Sequence, residues 1–206
     1  GFPLLTASCR NRTGTPEQEG HHAALHALFA REWEFRLRED PLFATSVGRM
    51  EWNDKLPDLG LSAARRSYDF YRALLADLGR IPSDALDEAD RISQDVLRVE
   101  VQHHVDAFET GGYLMPVNSD SAFHIYFPRI VEEVPLENTR DYGNLLARLR
   151  AWPRAVDEML DVLRKGLKQG FTPPAITMQG FERTISAHIV DQPRKSGFYQ
   201  PFGHFP

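Results

Sequence analysis

The chain has 206 residues, 42% hydrophobic and 26% charged, with a formal net charge of −5. That length suits one domain or part of a larger one, and the apolar content is enough for a sizeable core. The balanced charge offers no basic stripe to nucleic acid, no run approaches a membrane span, and the single Cys9 excludes an internal disulfide framework.

In chain order, Phe2-Pro3-Leu4-Leu5-Thr6-Ala7-Ser8-Cys9 is a short apolar run ending in small residues and a cysteine. It resembles the end of a bacterial lipoprotein signal peptide, with Cys9 as the lipidated residue. Thr6 stands where a leucine is usual, and no basic region precedes it. The alternative for residues 1–15 is a disordered or tag-derived leader. On the lipoprotein reading the protein is exported to the cell envelope or periplasm, and its only membrane attachment is a lipid anchor at Cys9.

Thr15-Pro16-Glu17-Gln18 predicts a helix start, with a cap, a proline in the first turn and a glutamine to close a capping box. Leu25, Leu28, Phe29, Trp33, Phe35 and Leu37 carry this helix to about Arg38. Residues 41–61 are punctuated by Gly and Pro. Ser62 opens a second helix with Tyr68, Tyr71, Leu74, Leu75 and Leu78, ended by Gly79. Ser83 starts what reads as the longest helix, to about Glu109, with Leu86, Ala89, Ile92, Val96, Val99 and His103 near one face. Tyr113 to Pro135 reads as a long irregular loop.

From Asp141 to Pro174 the pattern predicts a helical hairpin. Asn138 or Thr139 caps its first arm, which carries Leu145, Leu146 and Leu149. Pro153 suits the first turn of a second arm, where Val156, Met159, Leu160, Leu163 and Leu167 line one face. Gly170 and Pro173–Pro174 stop it. Residues 176–189 suggest a final helix. The fold class expected is mostly α: an irregular multi-helix array with a long central helix, a helical hairpin and a long irregular loop.

Few residues carry recognisable chemistry. Glu19-x-x-His22 and Glu100-x-x-His103 are the pairs used by ferritin-like di-metal bundles, which also need carboxylates such as Glu158 and Glu182 from other helices. His22 with His26, or Glu100 with His104, could each chelate one metal, but two ligands do not make a site. Cys9 is remote from any base, and no phosphate loop, dinucleotide fingerprint or nucleophile elbow is present. The loop around Asn118, Ser119, His124 and Tyr126 mixes aromatic walls with amide, hydroxyl and imidazole groups, as a substrate cleft would.

The order of signals resembles the bacterial DUF885 family, large helical proteins regarded as zinc metallopeptidases. The matching residues are Tyr142, Leu145, Leu149, Pro153, Leu163–Arg164, Gly166, Gly170 and Pro173. An upstream set fits too: Pro41, Ala44, Thr45, Gly48, Asn53-Asp54-Lys55-Leu56 and Asp58. The resemblance runs from about Leu25 to the end of the sequence. Family members are longer and carry an HExxH zinc motif in their C-terminal half; this sequence contains no HExxH. The resemblance therefore implies that residues 16–206 form the helical N-terminal part of a larger peptidase domain. In the whole protein a zinc-bound water would attack a peptide carbonyl. Neither a metal site nor a catalytic residue is expected within this chain, zinc being expected in the missing C-terminal part. Its partners would be that remaining portion and a peptide or small-molecule substrate, held by Asn118, Ser119, His124 and Tyr126. The start at Gly1 and the aromatic stretch Phe198–Phe202, which reads as an extended approach to something further on, fit a fragment. A ferritin-like oxidoreductase and a helical binding or scaffold protein are the alternatives.

Overall fold

The computed structural model describes residues 15–118, 120 and 122–205. Among these residues every regular element is helical: α1 (Pro16–Glu39), α2 (Pro41–Ser46), α3 (Leu61–Leu78), α4 (Glu88–Glu109), α5 (Phe123–Tyr126), α6 (Ile130–Glu133), α7 (Thr139–Gln169) and α8 (Phe181–Ser186). No helix among them is long and apolar enough to cross a membrane. Cys9 and Ser119 lie outside the described residues.

Side-chain caps set four of these eight helix starts. Thr15 and Gln18 form the reciprocal capping box at α1. Asp40 ends α1 and caps α2, its Oδ1 accepting from the Leu42 and Phe43 N–H groups. Asn138 caps α7. The start expected at Ser83 is only a 3-10 turn (Ser83–Ala85); α4 begins at Glu88, capped by Asp87. The final helix expected over 176–189 is also shorter. Gly180, at φ +79°, separates a 3-10 turn (Ala175–Met178) from α8. The loop expected over 113–135 holds two helical turns, α5 and α6, around a 3-10 turn (Phe127–Arg129).

One core lies between α1, α3 and α4, where Leu25, Leu28, Phe35, Tyr71, Leu74, Leu78, Leu97 and Val101 pack together. The face that α4 turns inward differs from the apolar face read in the sequence. Asp90, Gln94, Leu97, Val101 and Val105 are buried, whereas Ile92, Val96 and Val99 are 57%, 59% and 54% exposed. Both stripes have helical spacing, and the buried one wins because its polar members find partners. The Gln94 amide donates to the Ile81 carbonyl at 2.9 Å and accepts from the Ser83 hydroxyl at 2.7 Å, so it can sit fully buried without a desolvation penalty left unmet.

The second core gathers Leu56, Phe127, Ile130, Leu145 and Ala155. Its spine is α7, which corrects the expected hairpin: the helix runs unbroken for 31 residues with Pro153 inside it. An interior proline costs about 3 kcal/mol of helix stability, yet Tyr142, Leu145 and Arg148 before it and Ala155 and Val162 after it are all buried along the same helix. Trp152 stacks on Phe127 at 4.1 Å between ring centroids, which fixes α7 beside the proline. The C-terminal aromatics are not an extended approach. Residues 200–204 form a 3-10 turn, and Phe198 and Phe202 pack against this core.

Arg148 joins α7 to α2 and to the segment between α2 and α3. It is fully buried. Its Nε donates to the Lys55 carbonyl at 2.9 Å, and its Nη2 reaches the Pro41 carbonyl at 3.0 Å, the Thr45 hydroxyl at 2.7 Å and the Trp52 carbonyl at 3.3 Å. Burial pushes the guanidinium down to about 10, against the pull of the Asp54 and Asp40 charges; it stays protonated at neutral pH. Gly166, later on α7, allows a close backbone approach: a Cβ there would lie 2.6 Å from the Leu114 carbonyl oxygen and 3.0 Å from that of Phe171.

Two stability predictions follow from these contacts. Arg148→Met, which strands several buried carbonyls, should lower the unfolding free energy by at least about 3 kcal/mol; Arg148→Lys should recover little, since an ammonium lacks the fork that spans these acceptors. Gly166→Ala should cost about 1–2 kcal/mol, overpacking outweighing the better helix propensity. Urea denaturation checks both, and an unchanged midpoint for either contradicts the contact assigned to it.

Candidate functional site

An enclosed apolar space lies where α5, α7 and α8 meet. Phe123 on α5 stacks on Trp152 of α7 at 5.0 Å, and Phe127 next to α5 is completely buried beneath the same indole. With α5 held this way, a cleft of about 420 Å³ opens between Trp152, Met159 and Leu160 of α7 and Phe181, Ile185 and Ile189 of the α8 region. Its ionisable side chains are two imidazoles, those of His124 and His188.

His124 is anchored across the cleft. Its Nε2 lies 2.7 Å from the Thr184 hydroxyl, which itself lies 2.6 Å from the Phe181 carbonyl. A threonine hydroxyl has one proton, and the carbonyl can only accept. The imidazole therefore donates from Nε2–H, leaving its Nδ1 with a lone pair. Burial pushes the His124 pKa down, and the neighbouring His188 adds to this. A neutral imidazole in an apolar cleft can accept a hydrogen bond from a ligand N–H or O–H group.

The four residues read from the sequence as substrate contacts are not gathered in one place. His124 lines the cleft. Asn118 is engaged in a local turn, its side-chain oxygen accepting from the Asp120 N–H at 3.0 Å. Tyr126 lines two shallower grooves, one with Met159 and Val162 and one with Leu42 and Arg129. Ser119 is outside the described residues. Sequence reading missed His188 and Thr184; their four-residue spacing within the last helical pattern was the available signal.

Metal-type ligands also sort differently from the sequence pairs. Among the described residues the one convergent group of three is His22, His26 and Asp90 on α1 and α4; it includes neither Glu19 nor Glu100. Glu158 instead accepts from the Leu59 N–H at 3.0 Å. His104 stacks on Tyr71 at 4.0 Å, and among the described residues neither it nor Glu100 belongs to a convergent group of three such ligands.

A family model described as bacterial protein of unknown function (DUF885) matches residues 41–206. The chain belongs to the DUF885 family. No curated protein and no solved structure gives a significant match. The match starts at Pro41, later than the Leu25 suggested by the sequence, so α1 precedes it. Several of the residues carrying the DUF885 resemblance now have physical roles. Pro41, Thr45 and Lys55 surround Arg148, Gly166 permits the approach of α7 to Leu114, and Gly170 adopts φ +78° at the end of α7.

The cleft by itself does not make up a catalytic zinc centre, which the resemblance places in a C-terminal part outside this chain. Catalytic zinc needs three protein ligands, and the cleft walls of this DUF885 chain offer two imidazoles and no carboxylate.

The depressed pKa of His124 has a definite pH signature. Its folded pKa lies below the ordinary 6.5, so the folded state binds fewer protons than the unfolded chain just below that pH. The stabilisation is complete above pH 6.5 and is lost as pH falls toward the folded value. His104, also lowered chiefly by burial, acts in the same direction. Ring-proton NMR titration should place the His124 midpoint below 6.5; a midpoint at or above that value contradicts the half-buried, neutral assignment.

Proposed function

We propose that this DUF885 chain is the N-terminal, non-catalytic portion of a zinc-dependent peptidase and supplies one wall of its substrate cleft. The observation that carries the reading is the apolar cleft beside His124. It is large enough for a hydrophobic side chain of a peptide, with a neutral imidazole available to a peptide N–H. Zinc, held by an HExxH motif in a C-terminal portion, would supply the activated water; this chain's part is to bind and orient the peptide and to exclude solvent around it.

A second feature supports the same reading. Apolar side chains at the cleft and beyond it stay open to solvent, among them Leu167 at 70%, Ile176 at 67% and Ile189 at 76%. A remaining C-terminal portion of the domain is the partner proposed to cover part of this surface. Export and a lipid anchor at Cys9 belong to the proposal as its cellular setting.

The test compares the 206-residue chain with a longer protein containing the HExxH motif, on peptides with bulky apolar side chains. The chain alone should not hydrolyse peptides, and the longer protein should. In the longer protein, Leu160→Glu or Ile189→Glu should raise KM roughly ten-fold, about 1.4 kcal/mol of lost binding, with kcat little changed. Hydrolysis by the short chain that survives further purification, or KM values unaffected by both substitutions, would overturn the proposal.

A further inference from the structure

His22 and His26 are one helical turn apart on α1, so their rings share a face, with centroids 4.2 Å apart. Both turn toward Asp90, in the first turn of α4. The Asp90 carboxylate is 8% exposed and divides its two oxygens between them: Oδ2 meets His22 Nδ1, and Oδ1 lies 3.2 Å from His26 Nε2. No lysine or arginine forms an ion pair with Asp90 among the described residues. The backbone helps to hold the carboxylate in place, because the Asp90 N–H donates to Asp87 Oδ1 at 2.9 Å.

We propose that His22, His26 and Asp90 form a binding site for one divalent transition-metal ion, zinc being the best fit, that clamps α1 to α4. The ligand atoms all lie within 4.8 Å of one another. A tetrahedral zinc with bonds of about 2.0–2.1 Å has ligand–ligand edges of roughly 3.3–3.4 Å. The 3.2 Å separation between His26 and Asp90 is close to such an edge, and small side-chain rotations bring the third ligand to the same spacing. Two imidazoles and one carboxylate favour zinc, cobalt or nickel over magnesium or calcium, which take oxygen. The imidazoles are solvent-accessible, at 34% and 51% side-chain exposure, so an ion can enter and water can complete the coordination. The ion takes the place of the N–H protons that now point at the carboxylate; each neutral imidazole keeps its single proton by carrying it on the other ring nitrogen, exchanged through solvent.

The consequence is structural. Helix α1 precedes the part of the chain that matches the DUF885 family, and the proposed ion would tie it to the first turn of α4, within that part. The clamp is independent of the substrate-cleft reading, since none of its ligands lines that cleft. It also differs from the ferritin-like centre, which needs two ions and several carboxylates.

The experiment uses the tag-free 206-residue chain stripped with chelator. Zinc is titrated against a chromophoric competitor, and cobalt is added separately to read coordination from its visible absorption. One zinc per chain should bind, cobalt should give the intense bands of a tetrahedral site, and zinc should raise Tm. His26→Gln, at an exposed position that should not impair folding, should weaken zinc at least roughly ten-fold and abolish the Tm shift. Asp90→Asn should do the same where it folds. No zinc binding at micromolar concentration, or binding unchanged in His26→Gln, would overturn the proposal and leave a purely hydrogen-bonded His–Asp–His cluster.

Discussion

A buried guanidinium holds this fold together. Among the described residues Arg148 has no carboxylate within hydrogen-bonding distance; it is held by three main-chain carbonyls and a threonine hydroxyl. Carbonyl dipoles disperse the positive charge without adding a second ion that would itself need desolvation. They come from Pro41 at the start of α2 and from Trp52 and Lys55 in the segment between α2 and α3, which has little regular structure. That segment gains its shape by wrapping around a side chain more than ninety residues further along. Thr45 completes the arrangement, accepting from Arg148 while its own proton is shared between the Pro41 carbonyl and Asn53 Oδ1.

Helix α7 transmits this constraint to the cleft. Arg148 lies just before Trp152, and the same helix then supplies Met159, Leu160 and Leu163 to the cleft wall. The elements across from it, α5 and α8, are four and six residues long. Helices of that length have no intrinsic stability. They are held by the stack of Phe123 and Phe127 on Trp152 and by the His124–Thr184 hydrogen bond. Such elements sit at the low-stability end of a domain, where ligand-responsive surfaces are usually found.

The first core uses buried polarity in another way. Gln94 links α4 to the turn after α3, Asp90 links α4 to α1, and buried Glu32 pairs with Arg36 at 2.8 Å beside Tyr71. Burial, together with the Glu32 charge, pushes the Tyr71 phenol up to about 12. Gln94 and Asp90 select one rotation of α4 over the other. With apolar residues at 92, 96 and 99 as well as at 97, 101 and 105, hydrophobicity alone leaves two inward faces available, and only one lets the polar groups meet.

Signals local in the chain were legible without a structure. Capping by Thr15 and Asn138, the stops at Gly79 and Gly170 and the helical class all depend on residues within a few positions of one another, where side chain and backbone interact directly; the DUF885 resemblance was legible from the order of residues along the chain. Three features were not legible. Pro153 reads as a break because its cost is local, while the packing that keeps α7 continuous comes from Phe127 and the buried residues on either side. The buried face of α4 was misread because Asp90 and Gln94 look like surface residues until their partners are known. The cleft and the His22–His26–Asp90 cluster join segments distant in sequence. The spacing of two histidines determined that they share a helix face, but only tertiary structure could supply Asp90, because α1 and α4 meet through the packing of side chains around α3 and no chain-local rule specifies that contact.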